Sequence, residues 1–165
     1  MAIWGQKVGT NGLDAADIRI LSALQRNGRL SNVDLAEQVG LSPSPCLRRV
    51  RDLEDQGFIQ GYTAILDRRK LGMGVVAFVE IKIDQNAEGD ADFRRGILLL
   101  PEVVSCFVMT GTMDYLLQVV VEDLDAFAEL SMRKLLSIKG VKEVRSSFVL
   151  DVVKHSTSLP LPKPG

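Results

Sequence analysis

The stretch SNVDLAEQVGLSPSPCLRRVRDLEDQG, residues 31–57, permits little besides two short helices around a tight break. Ser31 stands where a helix N-cap accepts a first-turn N–H, and Asp34 follows three residues later. Gly40 can end that helix with a positive φ. Ser42 is expected to cap a second helix whose first turn holds Pro43, where a missing N–H costs nothing. Two short helices joined by a tight glycine turn make a helix-turn-helix, whose second helix enters the DNA major groove.

At about 100° per residue, Cys46, Leu47, Val50 and Leu53 gather on one face of the second helix and are expected to point to the core. The opposite face carries Ser44, Pro45, Arg48 and Arg51, with Arg49 at its margin. An arginine there can grip a guanine edge or clamp a phosphate. A solvated basic face on an ordinary surface helix has the same composition. Capping, break length and register each fit the DNA-reading motif independently. The candidate DNA contacts are therefore Ser42, Ser44, Pro45, Arg48, Arg49 and Arg51.

Around this motif the chain divides. Residues 1–70 carry ten Lys/Arg against eight Asp/Glu, whereas residues 71–165 carry ten against thirteen, so the basic excess sits weakly with the candidate reader. The net charge of −1 argues against a uniformly basic nucleic-acid coat. Met1–Gly12 reads as a frayed, Gly-rich arm. Leu13–Asn27, with Ile18, Leu21 and Leu24 on one face, reads as an amphipathic helix that completes a three-helix bundle. Phe58–Leu66 reads as a hairpin or wing. Asp67–Gly74 is the expected domain boundary. Beyond it the pattern is strand Val75–Ile83, helix Gly89–Leu100, strands Val103–Thr110 and Tyr115–Val121, helix Asp125–Ile138, and a long strand Val141–Val153. That order, βαββαβ, is the ferredoxin-like split βαβ unit. The tail is expected to be loose beyond Leu159.

The fold class is thus α+β: a winged helix-turn-helix over 13–66, a linker over 67–74 and a ferredoxin-like domain over 75–155. These residues carry a resemblance to the Lrp/AsnC, or feast/famine, transcriptional regulators. LSNVDLAEQVGLSPSPCLRRV has that family's helix-turn-helix form, and DLEDQGFIQGYTAILD resembles its wing and linker. PEVVSCFVMTG resembles its second strand and GTMDYLL its ligand-loop strand, closest to the leucine-responsive branch. The resemblance spans about Leu13 to Pro160. It implies a homodimer formed through the C-terminal domain, often an octamer of four dimers, double-stranded DNA as partner, and a free amino acid bound between dimers.

The GTMDY segment can be given a chemistry on that basis. An amino acid's ammonium needs an acidic acceptor, which Asp114 can supply, and its carboxylate wants backbone N–H groups, which the Thr110–Met113 turn can present. Without the resemblance, the same residues also describe an ordinary hairpin whose Asp stabilises its turn. The resemblance makes Thr110, Gly111, Thr112, Met113, Asp114, Tyr115 and Ser146 the expected effector site. Thr112 and Val144 depart from the residue types that the family tends to carry there, so the effector's identity does not follow.

No Ser/His/Asp set, metal-ligand spacing or phosphate loop can be assembled, so no enzyme, metal or cofactor is expected. Cys46 and Cys106 make no disulfide framework. His155, the only histidine, reads as a surface residue. The N-terminus lacks an apolar run with a basic flank, and no apolar stretch approaches a membrane span, so a cytoplasmic location is expected. The alternative is a ferredoxin-like regulatory or RNA-binding module without transcription-factor activity. RNA binding needs several stacking aromatics on the central strands, and those strands carry only Phe78 and Phe107.

Overall fold

The computed structural model describes residues 12–84 and 87–162. All but the last residue of the expected N-terminal arm lies outside them. The chain forms two units, one from residues up to Ile65 together with Lys154 onward, the other from Leu66–Val153.

The first unit is built from α1 (Ala15–Arg26), α2 (Asn32–Val39) and α3 (Pro43–Asp55). α1 begins two residues later than the apolar pattern suggests. Asp14 is its N-cap and accepts from the Ala16 and Asp17 N–H groups, while Asp17 reaches back to the Asp14 N–H. That reciprocal pair satisfies donors that a helix start otherwise leaves orphaned. Ile20, Leu21, Ala23, Leu35, Ala36, Val39, Cys46 and Leu53 form the core. The buried face of α1 is therefore set by Ile20 rather than by Ile18, which is only half-buried.

Residues 58–66 form no strand, so the expected hairpin is absent there. A lone two-stranded hairpin is marginal in water, and local bonds take its residues elsewhere. The Ile59 N–H donates to Leu53 C=O at 3.1 Å, and the Tyr62 hydroxyl donates to Glu54 at 2.9 Å. The tail is not loose at Leu161, which packs against this core. The Gln25 amide pins it by accepting from the Leu159 N–H and donating to the Leu159 C=O.

The second unit runs β1 (Val75–Ile83), α4 (Ala87–Leu98), β2 (Val103–Val108), β3 (Tyr115–Val121), α5 (Leu124–Glu129) and β4 (Val141–Phe148). The strands form one antiparallel sheet in the order β2-β3-β1-β4. Alternation along β1 and β3 sends Ala77, Val79, Ile81, Tyr115, Leu117 and Val119 to one face, where Phe93, Ile97, Phe127, Leu130 and Leu135 cover them. This is the ferredoxin-like arrangement, and with the helix-turn-helix it gives the α+β class.

α4 lies two residues earlier than expected and β2 ends two residues sooner, and two elements differ by more. The second helix does not run regularly to Ile138; it becomes a π-helical stretch over Leu130–Leu135. In an α-helix at about 100° per residue, positions five apart diverge by about 140°. The wider i→i+5 turn, seen in the 3.2 Å bond from Leu136 N–H to Ser131 C=O, lets both Leu130 and Leu135 be buried. β4 stops at Phe148, opposite Ala77, instead of Val153; one further bond, from the Val149 N–H to Val76 C=O at 2.9 Å, follows it.

Candidate nucleic-acid interface and effector loop

Local bonds build α3 and its approach from both sides. The Ser31 hydroxyl accepts from the Asp34 N–H at 3.1 Å and so starts α2. Gly40, at φ 70°, ends it, a conformation that lets the Leu41 N–H fold back to Ala36 C=O at 2.8 Å. Asn32 then donates across the break to Pro43 C=O at 2.9 Å. Ser42 occupies the N-cap of α3, but its side chain makes no capping bond. Pro45, at the third position, lacks the N–H that such a cap would serve, and Ser42 is exposed.

On α3, Cys46 and Leu53 are fully enclosed and Val50 is half-buried. Leu47, expected in the core, is 39% exposed because it lies a full residue step around the helix from Cys46. Ser44, Arg48 and Arg51 are exposed and Pro45 is half-buried. Among the described residues, neither Arg48 nor Arg51 meets a carboxylate. Arg49 differs: its Nη1 donates to Asp14 Oδ2 at 2.7 Å and to Asp17 Oδ1 at 2.8 Å. These bonds, with Asp17 first, raise the Arg49 pKa above its ordinary value. Asp14 is held below the usual carboxylate range, chiefly by the Asp17 N–H. The sequence reading missed this anchor, although Asp-x-x-Asp ahead of an apolar helix was its visible signal.

In the second unit, residues 110–114 connect β2 to β3. Thr110, Gly111 and Thr112 are exposed, and Gly111 has φ 114°. The Asp114 carboxylate accepts from the Ile83 N–H at 2.9 Å through Oδ2. Its own N–H donates to Ile81 C=O at 2.9 Å. Asp114 therefore closes the end of the β1–β3 ladder, and among the described residues no donor reaches its Oδ1. Met113 and Tyr115, both named in the expected effector site, are buried. The Tyr115 ring lies 4.4 Å from that of Phe93, and its hydroxyl donates to Asp90. Arg94 bonds Asp90 at 2.7 Å and sits over the Tyr115 ring. Burial, then the Asp90 bond, push the Tyr115 phenol up to about 12.

Ser146 does not meet Asp114 within one chain. Its ladder partner is Val79, which pairs in turn with Leu117. Asp114 is thus three residues along the strands and two strands across, roughly 14 Å at the usual strand rise and spacing. An α-amino acid is too short to bridge both.

Among the described residues no group of His, Cys, Asp and Glu could hold a metal ion, and no helix is long and apolar enough to cross a membrane.

Residues 76–159 match the family described as Lrp/AsnC ligand binding domain. Residues 13–60 match the winged helix-turn-helix DNA-binding family. Leucine-responsive regulatory protein of Serratia marcescens is 43% identical over 156 residues, covering 94% of this chain and 95% of its own length. Its counterpart in Escherichia coli K12 is 44% identical over 148 residues, covering 89% and 90%. A transcriptional regulator of Neisseria meningitidis, solved in complex with L-Met, is 48% identical. It superposes with a TM-score of 0.88 over 90% of this chain and 96% of its own.

Proposed function

The chain belongs to the Lrp/AsnC family of transcriptional regulators, and on that premise we propose how its residues divide the work. It is a DNA-binding regulator whose response is set by an amino acid. α3 reads the major groove. Arg48 and Arg51 supply the cationic contacts, and Ser42, Ser44 and Pro45 border them. The observation that carries this reading is that two exposed guanidinium groups, unpaired among the described residues, project from a helix whose opposite side is sealed by Cys46 and Leu53.

The effector site centres on Asp114. Thr110–Thr112 offer backbone N–H groups to the ligand carboxylate, and Asp114 Oδ1 takes the ammonium. Ser146 joins the site only from another protomer, because the two residues stand too far apart in one. The sheet unit is the dimerisation surface: Val104, Phe107, Val108 and Met109 leave apolar area exposed on and beside β2. Association of four such dimers and action in the cytoplasm are part of the same reading. We assign no catalytic role.

A thermal-shift screen of the twenty amino acids tests the ligand half, because a ligand that favours the native state raises stability by mass action. L-methionine, bound by the Neisseria relative, is the first probe. No shift with any of them removes the amino-acid assignment. Selection of duplexes from a random-sequence library tests the DNA half, and no enrichment over input removes it.

A further inference from the structure

Arg48, Arg49 and Arg51 look interchangeable in the sequence, but their surroundings separate them. Arg48 and Arg51 are exposed and lack carboxylate partners among the described residues. Arg49 lies between Asp14 and Asp17, whose side chains are themselves fixed by backbone N–H groups. Asp14 Oδ1 accepts from Ala16 at 2.8 Å and Asp17 at 2.9 Å, and Asp17 Oδ2 accepts from Asp14 at 3.0 Å. One cation thus faces two anions, and the cluster as a whole is negative. A phosphate gains nothing by entering it. The capped start of α1 instead grips α3 at its middle.

A second tie holds the start of the same helix, where Asn32 of α2 donates to Pro43 C=O. Among the described residues the enclosed Asn32 Oδ1 has no partner, so that side chain is committed to this one bond. The ties at Pro43 and Arg49 are six residues apart, about 9 Å along the helix axis. Two fixed points of different origin, one on α1 and one on α2, define a tilt. The positions between and beside them, Ser44, Pro45, Arg48 and Arg51, inherit it.

We propose that Arg49, with Asp14 and Asp17, is a positioning element for DNA reading: it touches neither base nor phosphate, and it sets the tilt at which α3 presents Arg48 and Arg51. The inference rests on α3 being the reading helix. Bidentate base contacts depend on angle, so a helix free to rock loses discrimination while it keeps its charge-driven affinity.

The test uses the full chain, a duplex that the wild type enriches from a random library, and a scrambled duplex of equal length. Each phosphate neutralised adds about one to the slope of log affinity against log salt. Arg49→Gln combined with Asp17→Asn keeps the net charge of the cluster. It should lower affinity for the enriched duplex by about tenfold, one bidentate base contact. Binding to the scrambled duplex and the salt slope should both stay at wild-type values. Arg48→Gln should relax base choice, whereas loss of a phosphate contact would flatten the slope by about one. A slope lowered by about one in the Arg49 variant would make Arg49 a phosphate clamp and overturn the proposal. An unchanged ratio between the two duplexes, with only a lower melting temperature, would make it a purely structural ion pair and overturn it as well.

Asp14→Asn with Asp17→Asn provides a second variant that leaves Arg49 in place and keeps α1 capped, since asparagine caps as well as aspartate. Positioning requires this variant to lose discrimination too. An unchanged ratio of affinities between the enriched and scrambled duplexes would contradict it. A wild-type chain that enriches no duplex fails at the earlier step and overturns the reading of α3 itself.

Discussion

The two units gather their functional residues in opposite ways. In the first, everything that presents Arg48 and Arg51 lies between Asp14 and Asp55, and one helix displays it. A helix brings residues three and four apart onto one face by its own geometry. In the second, Asp114 stands at the start of β3 and Ser146 on β4, with β1 between those strands, and the sheet register keeps them apart. On the proposed reading the first site is complete within a single chain, whereas the second takes Ser146 from another copy, so each protomer would read DNA but only an assembly would sense the ligand.

The largest effects expected are on the separate cores. Ile20 and Leu117 are both fully buried, one in each unit. Ile20→Ala and Leu117→Ala should each cost about 2–5 kcal/mol of stability in chemical denaturation. Leu117→Ala, assayed well below its melting temperature, should still discriminate between duplexes. Loss of that discrimination would break the division between units.

Asp114→Ala comes next. Removing the ammonium acceptor should weaken amino-acid binding by about 1.5–3 kcal/mol, measured by calorimetry with the strongest ligand from the screen. Binding of the unliganded chain to its enriched duplex should persist. Unchanged ligand affinity would move the pocket away from residues 110–114.

Arg48→Ala should cost about 1–3 kcal/mol on the enriched duplex and relax base choice at one position. Equal weakening on every sequence would make Arg48 a phosphate contact, and no change would displace α3 from the groove.

The smallest effect concerns the two tyrosines, one in each unit. Tyr62 donates to Glu54 and Tyr115 to Asp90, and both phenols are pushed up to about 12, burial being the larger cause in each. The folded values exceed the unfolded value of about 10, so the native chain holds these protons more tightly. Their contribution to stability is complete below that value and is lost as pH rises toward the folded one. A tyrosinate absorbance titration should show both residues ionising late. One residue ionising near the unfolded value would identify the unit whose hydrogen bond does not hold.

The parts of this architecture legible in the sequence were those written in neighbouring residues. Ser31, Asp34 and Gly40 announced the ends of α2, and strict alternation announced β1 and β3 with their limits. The same local reading made Ser42 a cap, Leu47 a core residue and 58–66 a hairpin, because each fits its pattern and nothing nearby contradicts it. It also grouped three arginines by type and spacing, and spacing carries no information about Asp14, thirty-five residues away. The π-helical turn depended on two leucines competing for one core, which is not visible along the helix concerned.

By itself, then, the sequence determined which segments are helix or strand, which helix bears the cations and which loop bears the acid, since caps, glycine turns and hydrophobic period act over a few residues. Only the tertiary structure decided that Arg49 is held by α1, that Tyr115 is spent on Asp90, and that Asp114 and Ser146 stand two strands apart. Those outcomes rest on contacts between segments distant in the chain, where hydrogen-bond geometry and sheet register, not residue type, select the partner.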